Sequence, residues 1–135
     1  MKYDILTKYI PIIQAGPFGQ WIIDRENNGT PEHPFQMPYV DYSEIVNHFI
    51  NDVYSFEKRN EEMGLTHYQD ILNDNGIKWN RKLMQEADTS VLDGQCVMAF
   101  IMGAIRADRF CEGALLNFFQ DGCILKWLKR LCVCE

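Results

Sequence analysis

Residues 91–107 constrain this chain more than any other stretch, because Val91, Val97, Met98, Phe100, Ile101 and Ile105 fall on every side of a helix rather than along one stripe. A helix that is apolar nearly all round has no face to give to water, so it belongs at the centre of a fold with other elements packed around it. It does not read as a membrane span. Its longest uninterrupted apolar run, residues 96–105, is about half of the ~20 residues a bilayer requires, and it contains Gly103.

The remaining segments supply amphipathic partners for that centre. Asp41 or Ser43 offers a short side-chain oxygen to the unpaired first-turn amides of a helix running to about Lys58. Along it Val46, Phe49, Ile50, Val53 and Tyr54 form one apolar stripe, with Glu44, Asn47, Asn51 and Asp52 facing away. Thr66 is the expected cap of a short helix carrying Tyr68, Ile71 and Leu72 and ending at Asn75-Gly76. Another short helix is expected over residues 81–87, and Gly113 and Gly122 bracket one over residues 114–121. A last helix carries Leu125, Trp127, Leu128 and Leu131. Near the start, Leu6, Tyr9, Ile10 and Ile13 recur at helical spacing, but Pro11 must kink that helix or end it.

One region resists helix. Residues 16–42 hold four of the five prolines and the Asn28-Gly29 pair, which favours a tight turn. Trp21-Ile22-Ile23 before it and the alternating Phe35, Met37 and Tyr39 after it predict a short hairpin with a long polar tip over residues 24–34, its aromatics packed on helices. The expected architecture is a mainly α, compact orthogonal domain of five or six helices with one N-terminal β-hairpin. At 135 residues, 47% hydrophobic and 13% aromatic, it forms one core across residues 1–135.

Charge narrows the partners. The formal net charge of −6 argues against a duplex nucleic-acid binder, whose affinity rests on cations meeting phosphates. The charge is also uneven: residues 1–75 carry five basic and twelve acidic side chains, whereas residues 76–135 carry eight and seven, so an anionic partner is directed to the C-terminal half. Met-Lys-Tyr-Asp at the start does not resemble a secretory signal, so the expectation is a cytoplasmic chain whose five cysteines, all in the last third, are reduced and buried. No P-loop, G-x-G-x-x-G, G-x-S-x-G or H-E-x-x-H occurs.

The run Ile105-Arg106-Ala107-Asp108-Arg109-Phe110-Cys111-Glu112-Gly113, followed by Asp121-Gly122-Cys123-Ile124-Leu125-Lys126-Trp127-Leu128-Lys129-Arg130-Leu131, resembles a bacterial, Firmicutes-type family of small domains of unknown function. That family pairs R-x-[ED]-R-F-C-[DE]-G with G-x-[IL]-x-x-[IL]-L-K-R-L. The likeness extends upstream to Gln36-Met37-Pro38-Tyr39 and Tyr42-Ser43-Glu44, and departs at Ala107-Asp108, where the family more usually shows Gly-Glu. The resemblance implies a fold unit and no activity.

Candidate chemistry concentrates in the first motif. Arg106 and Arg109, three apart on a helix, present planar donor forks suited to a phosphate or carboxylate. Asp108 and Glu112, four apart, can serve as acid or base if a pocket desolvates one of them. The structural alternative is an arginine–carboxylate network, Arg109 to Glu112 or to an acid of the long second helix. Trp21 with Met37, Pro38 and Tyr39 either lines a groove or packs the hairpin. Lys126, Lys129 and Arg130 form a basic strip, read as the solvated face of the last helix or as a contact for an acidic partner. Cys132-Val133-Cys134 is a single C-x-C pair, which leaves a zinc site without its second pair of ligands, and His48 and His67 sit on polar flanks.

Two function classes follow. The leading one is a non-catalytic ligand-binding or protein-interaction module in which Arg106, Asp108, Arg109 and Glu112, with Trp21 and Tyr39, meet an anionic small molecule or an acidic protein; no metal or cofactor is called for. The other is an enzyme acting on a nucleotide or ADP-ribose-like substrate through Asp108 or Glu112. A monomer or a homodimer fits either, including a dimer through the Trp127 face.

Overall fold

The computed structural model describes residues 2–14, 16–27, 29–34 and 37–134. Phe35, Gln36 and Asn28, used above for the hairpin and the family likeness, lie outside them. The mainly helical architecture with an N-terminal hairpin is as expected.

The central helix, α5 (Gly94–Ala107), buries all but three of its fourteen residues. It starts later than the apolar pattern suggested. A 3-10 turn over Thr89–Val91 comes first, and Asp93 then accepts from the Cys96 amide at 2.9 Å, satisfying a first-turn donor that Val91 cannot serve. Around it lie α6 (Ala114–Gln120) and α7 (Cys123–Val133), separated by Gly122, whose φ of +80° is a conformation side chains disfavour.

The helix α2 (Glu44–Arg59) runs as predicted. Ser43 accepts from Val46 N, and Val46, Phe49, Val53 and Phe56 are its buried residues. Two shorter helices, α3 (Tyr68–Asp74) and α4 (Arg81–Glu86), pack on this frame, and α1 (Asp4–Thr7) is one turn followed by further turns through Gln14. Pro11 therefore ends the first helix rather than kinking it. Thr66 caps nothing: it lies inside a 3-10 turn, Leu65–His67, and the residue preceding α3 makes no side-chain cap.

The strands β1 (Gly19–Ile22) and β2 (Tyr39–Tyr42) pair antiparallel, with Trp21 opposite Val40. The second strand lies further along the chain than the Phe35–Met37–Tyr39 alternation suggested. Its aromatics are not core either, since Trp21 is 47% exposed and Met37 more so.

The C-terminal helix corrects three further expectations. Trp127 is fully buried against Phe100 and Phe118, so no Trp127 face is available for a dimer. The basic strip divides: Arg130 donates twice to Leu92 O, at 3.0 and 2.8 Å, and Lys126 reaches Gln85 O at 3.2 Å, which ties α7 to the α4–α5 connection. Cys132 and Val133 continue the helix, so the C-x-C thiols do not share one side of an extended tail. Of the five cysteines only Cys96 and Cys123 are buried; desolvation raises both thiols, Cys96 to about 11.

Candidate functional site

Between α5 and α6 the chain must turn and restart within six residues, 108–113. The restart lacks an ordinary cap, because Gly113, with φ +86°, occupies the N-cap position and has no side chain to offer. Asp108 supplies the missing acceptor from upstream. Its Oδ1 takes the Gly113 amide at 3.1 Å and the Leu115 amide at 3.2 Å, satisfying donors at the beginning of α6 with a full negative charge.

The same oxygen accepts from the Tyr42 hydroxyl at 2.8 Å, and that hydroxyl in turn accepts from Leu116 N at 3.0 Å. Tyr42 thus joins the hairpin to α6. Burial, and then the Asp108 carboxylate beside it, push the Tyr42 phenol well above its ordinary value of 10.0. Glu112 completes the junction: its Oε1 accepts from Val40 N at 2.8 Å on the outer edge of β2, and the Trp21 ring lies where a side chain at Gly113 would project.

Asp108, Glu112 and Trp21 are therefore brought together, on the hairpin side of the link. The arginines are not drawn in with them. Arg106 places its guanidinium carbon 5.5 Å from the centre of the Tyr54 ring on α2, a cation–π contact, and its buried Nε meets no acceptor. Arg109 is exposed and, among the described residues, makes no ion pair; in place of the expected Arg109–Glu112 bridge, Glu112 accepts from the Val40 amide. Tyr39 pairs with Ile22 in the sheet and stands partly exposed.

The opposite side of the link is of a different kind. There a cleft of about 210 Å³ opens between the start of α4 and the α5–α6 link. Met84, Ala107, Ala114 and Phe118 line it together with Trp79 and Phe110, whose rings meet edge to face at 5.7 Å. Trp79 is held in place. Its Nε1 donates to Gly103 O at 3.0 Å, and an added Cβ at Gly103 would sit 3.2 Å from its ring, so the glycine in the central helix makes the approach possible. Phe110 is 79% exposed at the mouth, beside the exposed Cys111 thiol, while Asn80, Arg81 and Asn117 add polar groups. Arg81 is shared with Asp121 at 3.6 Å.

Sequence reasoning missed Trp79 and Phe110. The available signal was an aromatic inside a motif otherwise read for its charges, and the small residue at 103 in a helix with no other room to spare. Among the described residues no three His, Cys, Asp or Glu side chains converge as a metal site would need, and no helix is long and apolar enough to cross a membrane.

A family model described as "Family of unknown function (DUF6508)" matches residues 2–135. No curated protein and no solved structure matches the chain.

Proposed function

The chain belongs to DUF6508, a family of unknown function, and we propose that it is a non-catalytic protein-interaction module that takes one apolar side chain of an acidic partner into the α4–α6 cleft. The observation that carries this reading is the cleft itself, with Phe110 left 79% exposed at its mouth. Large aromatic groups are the anchors through which protein interfaces gain most of their energy, and they seat in apolar pockets.

Size decides between occupants. A cleft of about 210 Å³ exceeds the ~150 Å³ cavity that accepts benzene, yet falls below the ~300 Å³ at which drug-sized ligand pockets begin. One ring or branched side chain fills a cleft of that size, whereas a nucleotide would project from it. The surroundings favour an acidic flank on that partner. Arg109 lies on the link without an ion pair among the described residues, and Lys78 and Lys82, both exposed, flank the cleft-lining residues 79–81. The enzymatic reading has less support, because Asp108 is engaged by three donors and turned away from the cleft toward the hairpin.

The test uses peptides in which a single Phe, Leu or Trp is embedded among Asp and Glu, titrated against the chain and followed by chemical-shift changes at Trp79 and Phe110. Binding is expected to need the apolar residue, to weaken about tenfold with Arg109→Ala at low salt, and to be blocked by Cys111→Trp at the mouth. Equal binding of peptides whose apolar residue is replaced by alanine would overturn the proposal.

A further inference from the structure

The two edges of the hairpin are treated differently. Ser43 N donates to Phe18 O at 2.8 Å, which sets the phase of the antiparallel ladder. Because bonded and non-bonded positions alternate, Gln20–Asp41 and Ile22–Tyr39 are bonded, whereas Gly19 and Trp21 point their amides and carbonyls away from β2. On β2 the equivalent outward amide, Val40 N, is capped by Glu112. On β1 no hydrogen bond to the outward groups of Gly19 or Trp21 is made among the described residues.

Open edges in monomeric proteins are normally guarded by charges, prolines or covering loops. This one carries no charge: residues 9–23 contain no Asp, Glu, Lys, Arg or His, in a chain half whose net charge is −7.

We propose that β1 pairs antiparallel with β1 of a second copy of this chain, about a two-fold axis at Gln20, to form a continuous four-stranded sheet. In that register Gly19 faces Trp21 of the other copy and Trp21 faces its Gly19. Both are then bonded positions, so the outward amide and carbonyl of each residue find partners, four hydrogen bonds in all, with the Gln20 pair as the non-bonded position between them. Gly19 has no side chain to obstruct an incoming strand, because a Cβ there would already meet Asp41 O of its own hairpin at 2.9 Å. The strand that meets its copy carries no charge of its own, so two neutral glutamines meet at the axis, with Asp41 one strand further out on each side.

The experiment is mass in solution by sedimentation across a concentration series, with Gln20 as the probe because it is exposed and its side chain, among the described residues, makes no hydrogen bond. The wild-type chain is expected to reach twice 15.8 kDa, and Gln20→Lys, which sets two cations side by side, to return it to a single copy with unchanged circular dichroism. Gln20→Cys, in a chain with Cys111 and Cys132 replaced by serine, is expected to oxidise to a covalent dimer linked through residue 20, since the non-bonded Cα separation of about 4.5 Å suits a disulfide. A wild-type chain that stays at the single-copy mass overturns the proposal, including the case in which the edge accepts a strand from another protein. So does a dimer that Gln20→Lys leaves intact, or one cross-linked elsewhere than at residue 20.

Discussion

The six residues between α5 and α6 have two sides, and the contrast between them runs against the usual guide that charges mark function and apolar groups mark structure. On the hairpin side, Asp108 and Glu112 are absorbed into hydrogen bonds with amides and with Tyr42, and Trp21 covers Gly113. On the cleft side, Phe110 and Cys111 stand exposed beside an apolar hollow. The polar residues hold the fold, and the aromatic one is left over. A buried amide is costly to leave unpaired and a carboxylate is its strongest acceptor, so charged side chains near a helix restart are readily consumed by the backbone.

That contrast predicts a division between stability and binding. The largest loss of stability is expected for Asp108→Ala, which strands the Gly113 and Leu115 amides and the Tyr42 hydroxyl at once. Hydrogen bonds to charged groups contribute about 1.5–3 kcal/mol each when isolated, but this cluster is only partly buried, so about 3 kcal/mol in total is expected from urea unfolding. Asp108→Asn, which keeps one acceptor oxygen, should recover part of it. Gly113→Ala comes next at about 2 kcal/mol, combining a left-handed backbone that alanine disfavours with displacement of the Trp21 ring. If either variant left the unfolding midpoint unchanged, the hairpin side would lose its structural meaning.

Tyr42 gives the same side a pH signature. Burial first, and the neighbouring Asp108 second, raise its phenol in the folded chain above the ordinary 10.0. A group raised on folding contributes stability that is fully present below its unfolded value and is lost as pH rises toward the folded one. Stability is therefore expected to decline above about pH 10, the ordinary tyrosine value, and Tyr42→Phe should flatten that alkaline decline while costing about 1 kcal/mol at neutral pH. Tyr9, raised by burial and by its bond to Asp52, contributes in the same direction, so the flattening is partial. A Tyr42→Phe profile that parallels the wild type through this range would show that the phenol does not hold its proton for the reason given. Glu112→Ala removes one exposed acceptor from Val40 N and is expected to cost about 1 kcal/mol.

Much of this architecture was legible from apolar spacing. The burial of α5, the stripe on α2 and the glycine breaks at 113 and 122 each follow from a local rule that tertiary packing did not overturn. The starts of α3 and α5 were not, because Thr66 and Val91 satisfy the local pattern while Asp93 offers the better-placed acceptor and the Leu65–His67 turn intervenes. The candidate site was half legible. Helical spacing located Arg106, Asp108, Arg109 and Glu112 as a cluster, but what Asp108 and Glu112 meet is set by partners about seventy residues away, Tyr42 and Val40, and no spacing rule reaches that far. Trp79 and Phe110 were missed because nothing in their spacing shows that the fold brings them to one mouth.

The smallest expected stability effect is the most informative about function. Phe110→Ala removes a large side chain, yet one already 79% in water, so little apolar burial is lost and only its edge contact with Trp79 goes. The expected cost is about 0.5 kcal/mol or less, as for other surface substitutions. If the cleft is a binding surface, that same change should remove most of the affinity for an apolar-anchored acidic peptide, because truncating an anchor at a contact costs binding far more than it costs the free protein. Asp108→Asn should do the opposite, lowering stability and leaving the peptide affinity of the folded fraction unchanged. A Phe110→Ala protein that unfolds as readily as Asp108→Ala would mean that Phe110 packs in solution and that both sides of the link are structural; one that keeps its stability and still binds would move the contact away from the cleft.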